Sequence, residues 1–312
     1  MYYTEDLLVE KYRPRTFDEY IVHNDVFRNI INIVKTDPFK MNNMIFASPS
    51  PGTGKSTFAQ IIQNELHGDD NIDCIYVNGS GDGGIDTIRT KITEFVKTAP
   101  QIKDKPKLVI FEEADGLTTQ AQNSLKVVFE KYLSNSRIIF TTNNIGKIND
   151  ALKSRATLVY FSEPSREDIF NRLKYIVETE KFDFDDSRID DVILSFYPDI
   201  REMIKSLDEY ISFGTISYEV NREVAVGIWK ELKLTNNIKL LYELSNNRDL
   251  NHLAVVKLLF DFAMNDAKLS DEIKAKLSIL FLDFNRDLTI GVQSEICFVA
   301  NINKISIFFS GL

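Results

Sequence analysis

Met44-Ile45-Phe46-Ala47-Ser48-Pro49-Ser50-Pro51-Gly52-Thr53-Gly54-Lys55-Ser56-Thr57 is the stretch on which the reading of the fold turns. A four-residue apolar run leads into a Pro/Gly-rich loop, and the loop leads straight into a helical pattern. In such a loop the backbone N–H groups wrap phosphate oxygens and the helix N-terminus adds its positive end. Lys55 then reaches the terminal phosphates and Ser56 holds magnesium. Residues Pro51, Gly52, Thr53, Gly54, Lys55, Ser56 and Thr57 are therefore read as a nucleoside-triphosphate site with Mg2+. Pro49 stands where the first glycine of this pattern is usual. A bare Gly/Pro turn is the plain alternative, and the intact Gly-Lys-Ser between strand and helix weighs against it.

Outward from this loop, the first 160 or so residues hold four further short apolar runs: Cys74–Val77, Leu108–Phe111, Ile138–Thr141 and Leu158–Phe161. Uninterrupted runs of this length, rich in β-branched and aromatic residues, are what strands covered on both faces look like. The expectation is an α/β domain, a parallel sheet between helices. After Glu163-Pro164 the sequence turns helical, with a helix entry at Pro198-Asp199 and a break at Ser212–Ser217. Ile273, Leu277, Leu280, Phe281, Phe284 and Leu288 then share one helical face after a capping Ser270, and read more simply as core than as a subunit interface. Three units are expected: 1–162 nucleotide-binding, 163–220 a small helical lid, and 221–312 an all-helical C-terminal collar.

The 312 residues carry a net charge of −9, which argues against gripping nucleic acid by bulk electrostatics, so any DNA contact is local. Cys74, Cys297, His23, His67 and His252 are scattered without ligand-like spacing, so neither a disulfide framework nor a zinc site is read. No apolar run approaches the ~18 residues of a membrane span, and the N-terminus lacks a secretory apolar core; a cytoplasmic protein is expected.

The second chemical signal is Leu108-Val109-Ile110-Phe111-Glu112-Glu113-Ala114-Asp115, an apolar strand ending in three carboxylates. Metal-assisted hydrolysis needs one carboxylate near magnesium and another to orient or deprotonate the attacking water. Glu112 is the candidate for the metal side and Glu113 for the water. A solvated acidic turn is the alternative, and pairing with the phosphate loop decides against it.

These residues resemble the AAA+ ATPases and, within them, the sliding-clamp loaders, among which are the replication factor C small subunits and the bacteriophage clamp-loader large subunit. Val9-Glu10-Lys11-Tyr12-Arg13-Pro14 resembles the family's segment over the adenine, which implies ATP as the nucleotide and assigns Tyr12, Arg13 and Pro14 to it. Asn78–Arg89 resembles the segment after the second strand. Ala121-Gln122-Asn123-Ser124-Leu125-Lys126 resembles the helix in which Gln122 relays DNA binding to the catalytic glutamate, and Asn143 falls at the first sensor. On spacing alone, Gln122 reads as a surface helix residue and Asn143 as a cap or turn residue. Lys153-Ser154-Arg155 resembles the Ser-Arg-Cys motif, which implies that Arg155 enters a neighbouring subunit's ATP site; Arg201 falls at the second sensor. Three departures stand out: Ala156 for the cysteine, Glu112 for the usual aspartate, and Gly83 for a basic residue.

The resemblance implies an ATPase subunit that assembles with copies of itself and a different clamp-loader subunit, a pentamer, to open a sliding clamp around primer-template DNA. Ile85, Arg89 and Lys126 are the candidate DNA contacts, weak singly and summed over subunits. The rival readings are a non-hydrolysing scaffold subunit and another AAA+ motor such as a branch-migration helicase. The short chain and the Pro-Ser-Pro-Gly-Thr-Gly-Lys form look phage-like, which would put it in a host cytoplasm.

Overall fold

The computed structural model describes residues 7–21, 24–68, 71–81, 88–132, 134–214, 217–234, 252–289 and 294–311. These divide between two compact units, Glu10–Asp168 and the described parts of Met1–Val9 with Ile169–Leu312.

The first unit is built on five parallel strands, β1 (Met44–Ala47), β2 (Cys74–Asn78), β3 (Lys107–Glu112), β4 (Ser136–Thr142) and β5 (Thr157–Tyr160), in the order β2-β3-β4-β1-β5. All five expected strands form. Successive side chains go to opposite faces, and both faces are apolar. Phe46, Ile110 and Ile139 join Phe27, Phe58, Ile61 and Phe161 on one side, while Ile45, Phe111 and Phe140 join Ala121, Leu125 and Leu152 on the other. That double burial is why β1 and β4 read as unbroken apolar runs. The edge strands β2 and β5 are covered only in part, with Tyr76 42% and Tyr160 59% exposed, so for them the expectation of two covered faces was too strong.

The layer holding Phe58 is aromatic, with ring centroids 5.0 Å from Phe27 and 5.6 Å from Phe46. Truncating a buried ring of this kind costs about 3–5 kcal/mol. The principal helices of this unit are α1 (Asp25–Thr36), α2 (Lys55–His67), α3 (Thr119–Lys131) and the one-turn α4 (Asp150–Lys153). Asn24, Thr118 and Asn149 cap α1, α3 and α4 by accepting from Val26 N, Ala121 N and Leu152 N.

Beyond the sheet the described residues are helical: α5 (Arg166–Glu180), α6 (Asp186–Phe196), α7 (Ile200–Phe213), α8 (Ser217–Leu234), α9 (His252–Asn265), α10 (Asp271–Thr289) and α11 (Ser294–Ser310). The entry read at Pro198-Asp199 is α7, capped by Asp199 accepting from Arg201 N (3.0 Å) and Glu202 N (3.2 Å), and α7 stops at Gly214 with φ 71°. The middle of the stripe on α10 is core: Leu277, Phe281 and Phe284 are buried and Phe284 packs on Phe298, while Ile273, Leu280 and Leu288 are half-buried; Ser270 accepts from Ile273 N.

Candidate nucleotide site

β1 ends at Ala47 and the chain turns through residues 48–54 into α2, at the C-terminal edge of the sheet where α/β folds place ligands. Gly52 and Gly54 take positive φ, 66° and 89°, and a Cβ on Gly54 would meet the Tyr20 hydroxyl at 2.7 Å. That phenol donates to Gly54 O at 3.4 Å, and burial holds its ionisation well above the usual range, so it remains a donor. Gly54 offers α2 no side-chain cap and the first turn has no acid, which leaves the helix end electropositive. Lys55 is 8% exposed and its ammonium donates back across the loop to Ser50 O (3.0 Å) and Thr53 Oγ1 (3.3 Å). A buried ammonium beside an uncapped helix start fits a triphosphate. Ser56 and Thr57 lie half-buried in the same first turn.

The acidic turn stands at the same edge. Glu112 ends β3, half-buried, and its carbonyl accepts from Gly79 N at 2.7 Å. Glu113 is exposed, adopts φ 50°, and its carboxylate accepts from Ser80 Oγ at 2.7 Å. Two glycines permit this approach: a Cβ on Gly79 would lie 2.3 Å from Glu113 O, and one on Gly116 would lie 2.8 Å from Ser80 Oγ. Ser80 lies in the segment after β2. Its role was not legible because the contact joins residues 33 positions apart.

Asn143 is exposed just past β4, at the same end of the parallel sheet as the phosphate loop and Glu113. The reading of Gln122 as a surface residue is corrected. It is 2% exposed, and its amide donates to Leu117 O (3.2 Å) and Lys147 O (3.0 Å) and accepts from Asn149 N (2.8 Å). Those bonds tie the start of α3 to the cap of α4, the turn that leads to Arg155. Arg155 precedes β5, so it stands at the end of the sheet opposite its own phosphate loop; β1 alone, paired in register with β5, separates the two by roughly 13 Å. Its guanidinium donates to Ala151 O (3.1 Å) and Ser154 Oγ (3.2 Å).

Tyr12 is buried, Arg13 pairs with Glu10 at 3.5 Å, and Pro14 is half-buried. Lys126 is exposed on α3. Ile85 and the side chain of Arg89 lie outside the described residues. Arg201 is exposed in the first turn of α7, in the other unit.

A parallel sheet of this order, with a Gly-Lys-Ser loop after β1, a glutamate just past β3 and an asparagine just past β4, defines a P-loop nucleoside triphosphatase. Residues 45–164 match the family model described as "ATPase family associated with various cellular activities (AAA)". Over 97% of this chain and 95% of the relative, the sequence is 30% identical to a replication factor C small subunit from Saccharolobus solfataricus. It is 32% identical to replication factor C small subunit 1 of Pyrobaculum islandicum over 95% of this chain and 94% of that protein. Among solved structures, the Thermotoga maritima RuvB Holliday junction branch migration motor superposes with a TM-score of 0.54 over 96% of this chain and 91% of that one, at 13% identity, a likeness of fold. The chain belongs to the AAA family of ATPases and groups there with the replication factor C small subunits.

Proposed function

We propose that the chain is the ATP-hydrolysing subunit of a clamp loader, which opens a sliding clamp and sets it on primer-template DNA. The family supports an ATPase in a clamp-loader complex. The observation that supports a site completed by a second copy is the position of Arg155 before β5, at the far end of the sheet from its own Lys55; the clamp and the DNA in this reading rest on the likeness to replication factor C small subunits. Three domains, 1–162, 163–220 and 221–312, would serve as motor, lid and collar, with copies of this chain and a different subunit forming a pentamer.

In this reading the loop N–H groups and Lys55 bind and orient the triphosphate, Ser56 and Glu112 hold magnesium, and Tyr12, Arg13 and Pro14 cover the base. Bound Mg2+ supplies charge neutralisation at the phosphate oxygens. Glu113 accepts the proton of the attacking water, Asn143 orients that water, and Arg155 from the adjacent copy meets the charge that spreads over the phosphoryl oxygens. Arg201 ties the lid to the nucleotide state. Loss of these γ-phosphate contacts loosens the interfaces and releases the clamp.

Steady-state ATP hydrolysis by the assembled complex, with and without clamp and primed DNA, tests the reading. Stimulation by both together is expected. A flat rate in a complex that binds ATP would favour the scaffold.

A further inference from the structure

The third carboxylate of the acidic turn, Asp115, has no part in the chemistry above, yet its contacts are specific. Its Oδ1 accepts from the Thr142 hydroxyl at 2.9 Å and from Asn143 N at 3.4 Å. Thr142 is 1% exposed; its hydroxyl also accepts from Asn144 N (3.0 Å), and its carbonyl accepts from Ser48 N at the start of the phosphate loop (3.2 Å). The β3–β4 ladder ends with Phe111 opposite Phe140. Beyond that pair, Glu113 and Asn143 leave on separate loops, and strand pairing no longer fixes the distance between them. Asp115 restores it, because it lies in the tight turn closed by Gly116 N donating to Glu113 O at 2.8 Å, so its backbone moves with that of Glu113.

We infer that Asp115 is a positioning residue for hydrolysis, holding the backbone at Asn143 in a fixed relation to Glu113 so that both address one water. The inference rests on the role proposed for Asn143. It needs Asp115 only as a hydrogen-bond acceptor. A displacement of about 1 Å in such a constellation costs up to ~100-fold in rate.

The test is the ATPase of the assembled complex with clamp and primed DNA, with kcat and KM for ATP resolved. Asp115→Ala is expected to lower kcat about tenfold or more with KM for ATP within about twofold. Asp115→Asn, which keeps an acceptor oxygen, is expected to recover most of the rate. Asp115→Ala in an Asn143→Ala background is expected to add little, because the two act through one group. Unchanged kcat in Asp115→Ala overturns the inference, as does an Asp115→Asn variant no better than alanine, or fully additive losses. If Asp115→Ala does not fold, Asp115→Leu, close to aspartate in shape and without an acceptor, takes its place; a normal kcat there overturns the inference and a matching drop supports it. Asn143→Ala turning over at the normal rate is a separate result: it removes Asn143 from the site and the inference with it.

Discussion

Replacing Gln122 with alanine removes one side chain and strands three backbone groups: the carbonyls of Leu117 and Lys147 and the N–H of Asn149. A buried polar group left without a partner costs about 1–3 kcal/mol. The Leu117 bond is fully enclosed and takes the larger figure, whereas the other two are half-exposed and recover part of theirs from water. Gln122→Ala is therefore expected to destabilise the nucleotide-binding unit by about 2–4 kcal/mol, a fall of roughly 5–15 °C in Tm for a unit of this size. Urea denaturation of the purified chain, followed by circular dichroism, gives the number directly. Gln122→Glu is the sharper probe. At neutral pH its carboxylate would face two carbonyls with no proton to offer, whereas in acid the protonated form donates to one of them. The variant's destabilisation relative to the natural chain should therefore shrink as pH falls. A Gln122→Ala variant within about 0.5 kcal/mol of the natural protein would refute the reasoning, because surface substitutions have effects of that size and no larger.

Ser80→Ala frees the Glu113 carboxylate, and the loss of one net hydrogen bond, about 0.5–1 kcal/mol, should raise ATP turnover in the absence of clamp and DNA about two- to fivefold in a steady-state assay. His67 is buried, its Nε2 pairs with Pro106 O at 2.9 Å, and burial, partly offset by that bond and by Asp73, holds its pKa below the ordinary value of about 6.5. The unfolded chain then takes up the proton first, so stability rises with pH across this window and is lost as pH falls below about 6.5. Equilibrium unfolding between pH 5 and 8 should show that slope, and His67→Gln should flatten it.

The sheet was legible because both faces of its central strands are apolar, so Met44–Ala47 and Leu108–Phe111 announce themselves without any tertiary information. The phosphate loop was legible because its chemistry demands contiguous residues. The contacts of Ser80, Gln122 and Asp115 were not, for a common reason. Each acts through a hydrogen bond to a residue 25 or more positions away, and the side chain alone carries no trace of it. Gln122 shows the point best. A polar residue in the first turn of a helix reads as solvent-facing, and only the loop at residues 147–149, which covers it, makes it core. The half-exposed faces of β2 and β5 were hidden in the same way, since a short apolar run does not say whether it sits at the centre of a sheet or at its edge.

The central claim is that one copy's Lys55 and Glu113 need a neighbour's Arg155. Steady-state ATP hydrolysis by the assembled complex carrying Arg155→Ala, with ATP affinity measured on the same sample, tests it most directly. A loss of about 10³-fold or more in kcat with ATP binding retained is the predicted result. Hydrolysis at the natural rate would contradict the account.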